Sequence, residues 1–332
     1  MTVLGIETSC DETAAAISRD GVILASVVSS QGIHSRYGGV VPEVASREHE
    51  RFLTRVVQAS LNRSGITLED LDGIAATRGP GLMGALLTGV SFAQGLARGT
   101  GVICLGIDHI EAHIFANFIA YPDLEFPFLC LLVSGGHTQI WRVDGLGRYD
   151  LLGETRDDAA GEAFDKGARI LGLGFPGGPV IERAARGGNE DAVDFPQAFL
   201  TSNAIEFSFS GLKTSLLNYV KKLESPPKGD SLSDVAASYQ KAIVSVLVSK
   251  LKQAVERTGI QVAVIAGGVA ANEQLRILAR NVLTDCAVLY PPAPLCTDNG
   301  AMVAFLGERY LEESPGEMPL DLTVVPNLRL SG

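Results

Sequence analysis

Two stretches of the chain run through apolar and polar segments in the same order. Residues 4–28, LGIETSCDETAAAISRDGVILASVV, read as strand, polar loop, strand, turn and strand, with the turn at Asp20-Gly21. Residues 128–153, FLCLLVSGGHTQIWRVDGLGRYDLLG, repeat that order, with a polar loop at Ser134-Gly135-Gly136-His137-Thr138 and a turn expected at Asp144-Gly145. Each stretch is followed, later in its half, by a strand that enters a glycine-rich turn and a helix: IAATRGPGLMGALLTGVSFAQGLA from Ile74 and VAVIAGGVAANEQLRILAR from Val262. Such turns aim backbone N–H groups and a helix N-terminus at an anion. The duplication predicts two related α/β lobes with a cleft between them, where hairpin loops and helix N-termini meet a phosphate-bearing ligand. We place the N-terminal lobe at 1–108 and the C-terminal lobe at 109–298, with the linker region near 107–128 and a loop-rich insertion at about 151–230. A returning amphipathic helix, apolar at Met302, Val303, Leu306 and Tyr310, is expected at about 299–324 and belongs with the first lobe; 325–332 form a tail.

Composition narrows the class. The 332 residues suit two packed lobes. With 46% hydrophobic and 20% charged residues and 37 glycines, the chain reads as a globular enzyme with many tight turns. No apolar run reaches about 18 residues, and the N-terminus lacks the features of a signal peptide, so a cytoplasmic protein is expected. Five scattered cysteines without a C-x-x-C pair indicate neither a disulfide framework nor a zinc ribbon. A formal net charge of −11 excludes grip on nucleic acid through a global positive field. RNA contact must then be local, for which Arg36, Arg47 and Arg51 are candidates, or shared with partners.

The chemistry sits in a few places. His109 and His113 in HIEAH lie one helical turn apart on one face, either as two metal ligands or as a solvated polar face. Asp298, in CTDNG, is the best third ligand. Glu111 lies about 200° around the helix from His109, which places it away from a metal held by both histidines and counts against a zinc peptidase. Residues 7–13, ETSCDET, supply three carboxylates and three hydroxyls in one loop. Ser134 through His137 combine paired glycines with polar handles. Asp165 is read as opening a helix, where it caps or binds a ribose hydroxyl. Gly177-Gly178 and Gly267-Gly268, with Asn272 one turn into the next helix, look like turns that embrace a nucleotide. Arg78 in TRGPG is a ligand for an anion or for a helix-end carboxylate.

The blocks GIETSCDETAAA, GGVVPEVASREH, RGPGLMGALLTG, DHIEAH, LVSGGHTQI, GEAFDKGARILGL, FPGGP, FSFSGLKT, AGGVAAN and CTDNGAM stand in the order found in the TsaD family. The chain therefore resembles, essentially end to end, the enzymes that make N6-threonylcarbamoyladenosine in tRNA. The resemblance implies a duplicated fold of the actin, sugar-kinase and heat-shock-ATPase type. It also implies one metal, Fe²⁺ or Zn²⁺, on His109, His113 and Asp298, substrate binding by Leu132, Val133, Ser134, Gly135, Gly136, Asp165, Gly178 and Asn272, and Glu12 as the catalytic carboxylate. The implied reaction moves a threonylcarbamoyl group from threonylcarbamoyl-AMP to N6 of the adenine 3′ of the anticodon in tRNAs reading codons that begin with A, releasing AMP. The implied partners are the paralogue TsaB and the P-loop ATPase TsaE. A kinase of the same fold would have no need of the His/His/Asp set, and an actin-like scaffold would not need so many polar groups in its loops.

Overall fold

The computed structural model describes residues 1–200, 202–313 and 322–330. By contacts the chain divides into two units, Met1–Leu124 with Pro291–Leu330 and Glu125–Tyr290. The first holds a five-stranded sheet of β1 (Thr2–Glu7), β2 (Glu12–Arg19), β3 (Val22–Ser30), β4 (Gly73–Gly79) and β5 (Ile103–Asp108) in the order β3-β2-β1-β4-β5. β1 pairs antiparallel with β2 and parallel with β4. Helices α1 (Pro42–Ser64) and α2 (Met83–Thr100) cover one face, where Leu4, Ile6, Ile17 and Ile74 meet Leu53, Val57, Val90 and Ala93. Short α3 (His109–Ala120) and α10 (Gly300–Glu313) close the other side. A sheet covered on both faces has strands that are apolar throughout, and every residue of β1 is buried.

The second unit repeats this plan with β6 (Phe128–Val133), β7 (Thr138–Gly145), β8 (Arg148–Glu154), β9 (Val262–Ala266) and β10 (Ala287–Leu289), in the order β8-β7-β6-β9-β10. β6 lies antiparallel to β7 and parallel to β9, as β1 does to β2 and β4. Its helices are α4 (Ala160–Leu171), α5 (Gly177–Ala184), α6 (Ser210–Lys222), α7 (Asp230–Thr258) and α8 (Glu273–Val282). The repeat expected from the two hairpins is therefore a repeat of strand order and direction. Between 155 and 229 short helices alternate with irregular chain.

Several boundaries differ from the expectation. The units divide at 124/125 and 290/291, not at 108/109 and 298/299. α3 is buried from His109 to Asn117, and α10 with the short α9 (Ala293–Cys296) provides the apolar cover it needs within the first unit. The returning helix is buried almost all round from Gly300 to Glu308 rather than amphipathic, because small residues seat it directly on the sheet. A Cβ on Gly5 would collide with the backbone of Ala304. Residues 314–321 of its expected extent lie outside the described residues, and 322–324 are not helical. The tail is tied down, with Val325 N donating to Arg78 O at 2.8 Å and Gly81 N to Pro326 O at 3.0 Å.

The first hairpin turn is where it was expected, with positive φ at both Asp20 (51°) and Gly21 (76°), as a type I′ turn requires. The second is two residues later than expected, at Leu146-Gly147. β7 runs on through Gly145, which pairs with Arg148, and Gly147 takes the positive φ of the turn (66°). All five cysteines are free. No helix among the described residues is long and apolar enough to cross a membrane.

Candidate functional site

The first site is built at the carboxyl end of β5. Asp108 ends that strand and caps α3, its Oδ1 accepting from Ile110 N at 2.7 Å and Glu111 N at 3.1 Å. This fixes the helix start at His109 and puts His113 one turn on, on the same face. Their rings meet edge to face with centroids 4.7 Å apart. At 6% and 1% exposure neither histidine belongs to a solvated helix face, which removes that alternative. The ligand atoms of His109, His113 and Asp298 all lie within 4.8 Å of one another. Asp298 Oδ1 is 3.1 Å from His113 Nε2 and 3.6 Å from His109 Nε2. Asn299 caps α10, accepting from Met302 N at 3.0 Å.

A fourth residue went unassigned in the sequence beyond its place in the polar loop. Glu7, at the end of β1, is fully buried, and its Oε2 lies 3.1 Å from His109 Nδ1 and accepts the Thr77 hydroxyl at 2.6 Å. Ser9 Oγ stands 3.2 Å from the same ring nitrogen. A carboxylate on Nδ1 fixes the tautomer that leaves Nε2 as an electron-pair donor, the usual support for a metal-bound histidine. His113 Nδ1 is buried with no hydrogen-bond partner among the described residues. Two imidazoles, one carboxylate and a supporting carboxylate form a donor set that fits a borderline divalent cation.

The electrostatics agree. Burial alone would depress the His109 pKa, yet Asp298 and Glu7 outweigh it and lift the imidazole to about 9. Burial alone would raise Glu7, but the charge of His109 and its hydrogen bond hold that carboxyl below its ordinary value. Without an ion, the site thus keeps a proton as its cation. Glu12, at the start of β2, is raised to about 9 by burial and by the negative charges of Asp11 and Asp298. In the metal-free protein it is an acid through neutral pH. His49, on α1, braces this loop from below, within 2.8 Å of Thr13 Oγ1 and 3.0 Å of Cys10 O. Glu111 is engaged elsewhere, accepting from Tyr310 Oη at 2.6 and 2.7 Å, so it is not placed to serve as a peptidase base.

The second group of residues gathers at the carboxyl ends of β6 and β9, where open α/β sheets bind ligands. Leu132 and Val133 end β6, and the following loop closes on itself, with Ser134 N donating to His137 O at 2.8 Å and His137 N to Ser134 Oγ at 3.1 Å. The loop docks on the start of α4 through Gly161 N to Ser134 O at 3.1 Å. Any Cβ at Gly161 would collide with that carbonyl, whereas a Cβ at Gly135, Gly136 or Gly178 would meet nothing within 4 Å. The three candidate glycines therefore face open space, and their neighbours Gly161 and Gly177 make the close contacts. Asp165 does not open α4. It sits in the middle of that helix and accepts from Gly177 N at 2.7 Å, anchoring the start of α5. Asn272 is not inside α8 but caps it, accepting from Leu275 N at 2.9 Å while donating to Gln240 Oε1 at 2.9 Å.

Of the arginines expected to meet RNA, Arg47 pairs with Glu43 at 2.9 Å and Arg51 with Glu48 at 3.6 Å, while Arg36 is exposed. Arg78 Nε is buried without a hydrogen-bond partner among the described residues, and its charge favours the ionised form of Asp108, the carboxylate at the start of α3.

Solved structures share the architecture. The chain superposes on HypF of T. kodakarensis with a TM-score of 0.62 at 17% identity, covering 94% of this chain and 48% of that one. It superposes on the ADPNP-bound activator of the 2-hydroxyisocaproyl-CoA dehydratase of Clostridium difficile with a TM-score of 0.56 at 16% identity, covering 96% and 98%. These likenesses establish an actin-like α/β fold of two lobes. In sequence the chain is 51% identical over 315 residues to a tRNA N6-adenosine threonylcarbamoyltransferase of Trichlorobacter lovleyi, covering 94% of this chain and 92% of that protein. It is 50% identical over 336 residues to one of Desulfitobacterium hafniense, covering 100% and 98%. The family model described as TsaD, tRNA N6-adenosine threonylcarbamoyltransferase, matches residues 22–305, and with these relatives it shows that the chain belongs to the TsaD family of transferases.

Proposed function

We propose that this enzyme transfers the threonylcarbamoyl group of threonylcarbamoyl-AMP to N6 of the adenine 3′ of the anticodon in tRNAs that read codons beginning with A, releasing AMP. The observation that carries the reading is the buried His109 and His113 with the half-buried Asp298 beside them and Glu7 behind. His109 Nε2, His113 Nε2 and an Asp298 oxygen would hold one Fe²⁺ or Zn²⁺. Such an ion supplies Lewis acidity for the carbamoyl carbonyl or the threonyl carboxylate and a positive charge near Glu12.

The chain's own residues do the rest. Gly135, Gly136 and Gly178 bind the adenylate by backbone N–H groups, leaving room for close approach, while Leu132, Val133 and Ser134 hold the loop at the end of β6 where the adenylate lies. Asp165 and Asn272 position the turns that carry those groups and offer remaining carboxylate and amide capacity to the ribose. The adenine N6 lone pair attacks the carbamoyl carbon, the bond from that carbon to the phosphate oxygen breaks, and AMP leaves. Glu12 accepts the N6 proton. It can do so at neutral pH only where a positive charge offsets the burial and the neighbouring carboxylates that hold it protonated. TsaB and TsaE are the proposed partners, and with a net charge of −11 the chain depends on them for much of its hold on tRNA.

The test is reconstitution. The protein, tRNA transcript, threonylcarbamoyl-AMP, TsaB and TsaE are combined, and the RNA is digested to nucleosides. Threonylcarbamoyladenosine and AMP in equal amounts are expected. Their absence with metal-replete wild-type protein would overturn the reading.

A further inference from the structure

Some cations of this chain are neutralised in place. Arg47, Arg142, Lys166, Lys241 and Arg309 each sit within 3 Å of a carboxylate oxygen. The stretch 209–229 is different. It carries Lys213, Lys221, Lys222 and Lys228 against one acid, Glu224, a local excess of three positive charges in a chain whose net charge is −11. None of the four lysines has an ion-pair partner among the described residues. Helix α6 ends on Lys221 and Lys222, where cations also complement the helix dipole.

The placement gives those charges a direction. Leu212 and Leu216 bury one side of α6. Thr214, Asn218, Lys221 and Lys222 recur at helical spacing on the opposite, exposed side. Beside them opens a cavity of about 470 Å³ lined in part by Thr214, Ser215, Asn218, Tyr219, Lys222 and Asp194. Lys222 and Asp194 share it without forming an ion pair. Uncompensated ammonium groups beside hydroxyl and amide side chains are the chemistry that holds a ribose-phosphate chain, the lysines on phosphates and the neutral groups on sugar hydroxyls.

We propose that the exposed face of α6, continued by Lys228, is a docking surface for the phosphate backbone of the tRNA substrate. The choice of RNA as occupant rests on the family's reaction and on charge complementarity. It also replaces Arg47 and Arg51, whose charges are taken up by Glu43 and Glu48.

Filter binding of labelled tRNA across a salt series tests this, with the full chain alone and with its partner subunits. The triple variant K221E/K222E/K228E should bind at least about 10-fold more weakly near 0.1 M salt and lower the slope of log affinity against log salt by about 2–3, roughly 0.9 for each lost phosphate contact. R47E/R51E should bind as the wild type does, and K221R/K222R/K228R should retain affinity. Retained metal content and circular dichroism identify a triple variant that has folded. Wild-type affinity and slope in the folded triple variant, or no RNA binding by the wild type in any of these mixtures, would overturn the proposal. Tight binding through α6 without formation of the modified nucleoside would leave the docking surface standing and sink the proposed reaction instead.

Discussion

The loop between β1 and β2 and the loop between β6 and β7 occupy the same place in two copies of one strand plan, yet their chemistry is opposite. The first carries Glu7, Asp11 and Glu12 beside the buried His109, and its electrostatics are dominated by negative charge that demands a cation. The second, Ser134 to His137, has no carboxylate. It offers backbone N–H groups, two glycines facing open space and a tight contact with α4. Duplicated backbone geometry repeats the place of the loop, and a handful of side chains decides whether that place suits a cation or an anion.

The comparison breaks most sharply at the metal ligands. His113→Ala, His109→Ala and Asp298→Ala should each lose bound metal on dialysis and cut modification by more than about 100-fold, beyond the range usual for a supporting residue. Asp298→Ala should keep the start of α10, because Asn299 caps that helix. Metal analysis with circular dichroism checks both points, and wild-type metal content in any of the three would remove the site.

A step smaller is Glu7→Gln, which keeps a hydrogen-bonding side chain on His109 but removes the charge that fixes its tautomer. Metal affinity should fall about 10–100-fold, measured by competition with a chelator, while the fold persists. Unchanged affinity would reduce Glu7 to a packing role.

In the second unit the same dissection separates stability from binding. Gly161→Ala should cost about 1–3 kcal/mol in denaturant unfolding, because its Cβ has no room beside Ser134 O. Gly178→Ala should stay within about 0.5 kcal/mol but weaken AMP binding in calorimetry. Neither should alter metal content. Equal destabilisation by both would mean that Gly178 is there for packing.

The one effect that depends on pH concerns Glu12. Its folded pKa of about 9 lies above the ordinary carboxylate value, so the stability it contributes is full below the unfolded pKa and is lost as pH rises toward 9. Glu12→Gln cannot ionise. Without metal it should therefore melt above the wild type at pH 8, by about 2–4 °C for each kcal/mol regained, and match it near pH 4. An equal offset at both pH values would mean that ionisation is not the cause.

Much of this was legible along the chain because it is periodic or local. Apolar runs broken by short polar loops define the strands, Asp20-Gly21 carries the φ values of its own turn, and two histidines four residues apart share a helix face under any packing. Other features needed distant chain. The second hairpin turn stands at Leu146-Gly147 because β7 and β8 stay paired through Gly145 and Arg148. Asp165 reads as opening a helix and Asn272 as lying inside one, but the fold shows that the first anchors the next helix from the middle of α4 and the second caps its own.

What the sequence by itself determined, then, is the repeated strand plan, the pairing of His109 with His113 on one helix face and the separation of charged from glycine-rich loops, since each depends on residue type and spacing alone. The tertiary structure decided which unit owns α3, which of the carboxylates in ETSCDET stands behind His109, and which cations are already neutralised. Those are contacts between residues as far apart as Glu7 and His109 or Glu111 and Tyr310. A carboxylate's role depends on its burial and on the charges that folding brings beside it, and neither is a property of the local chain.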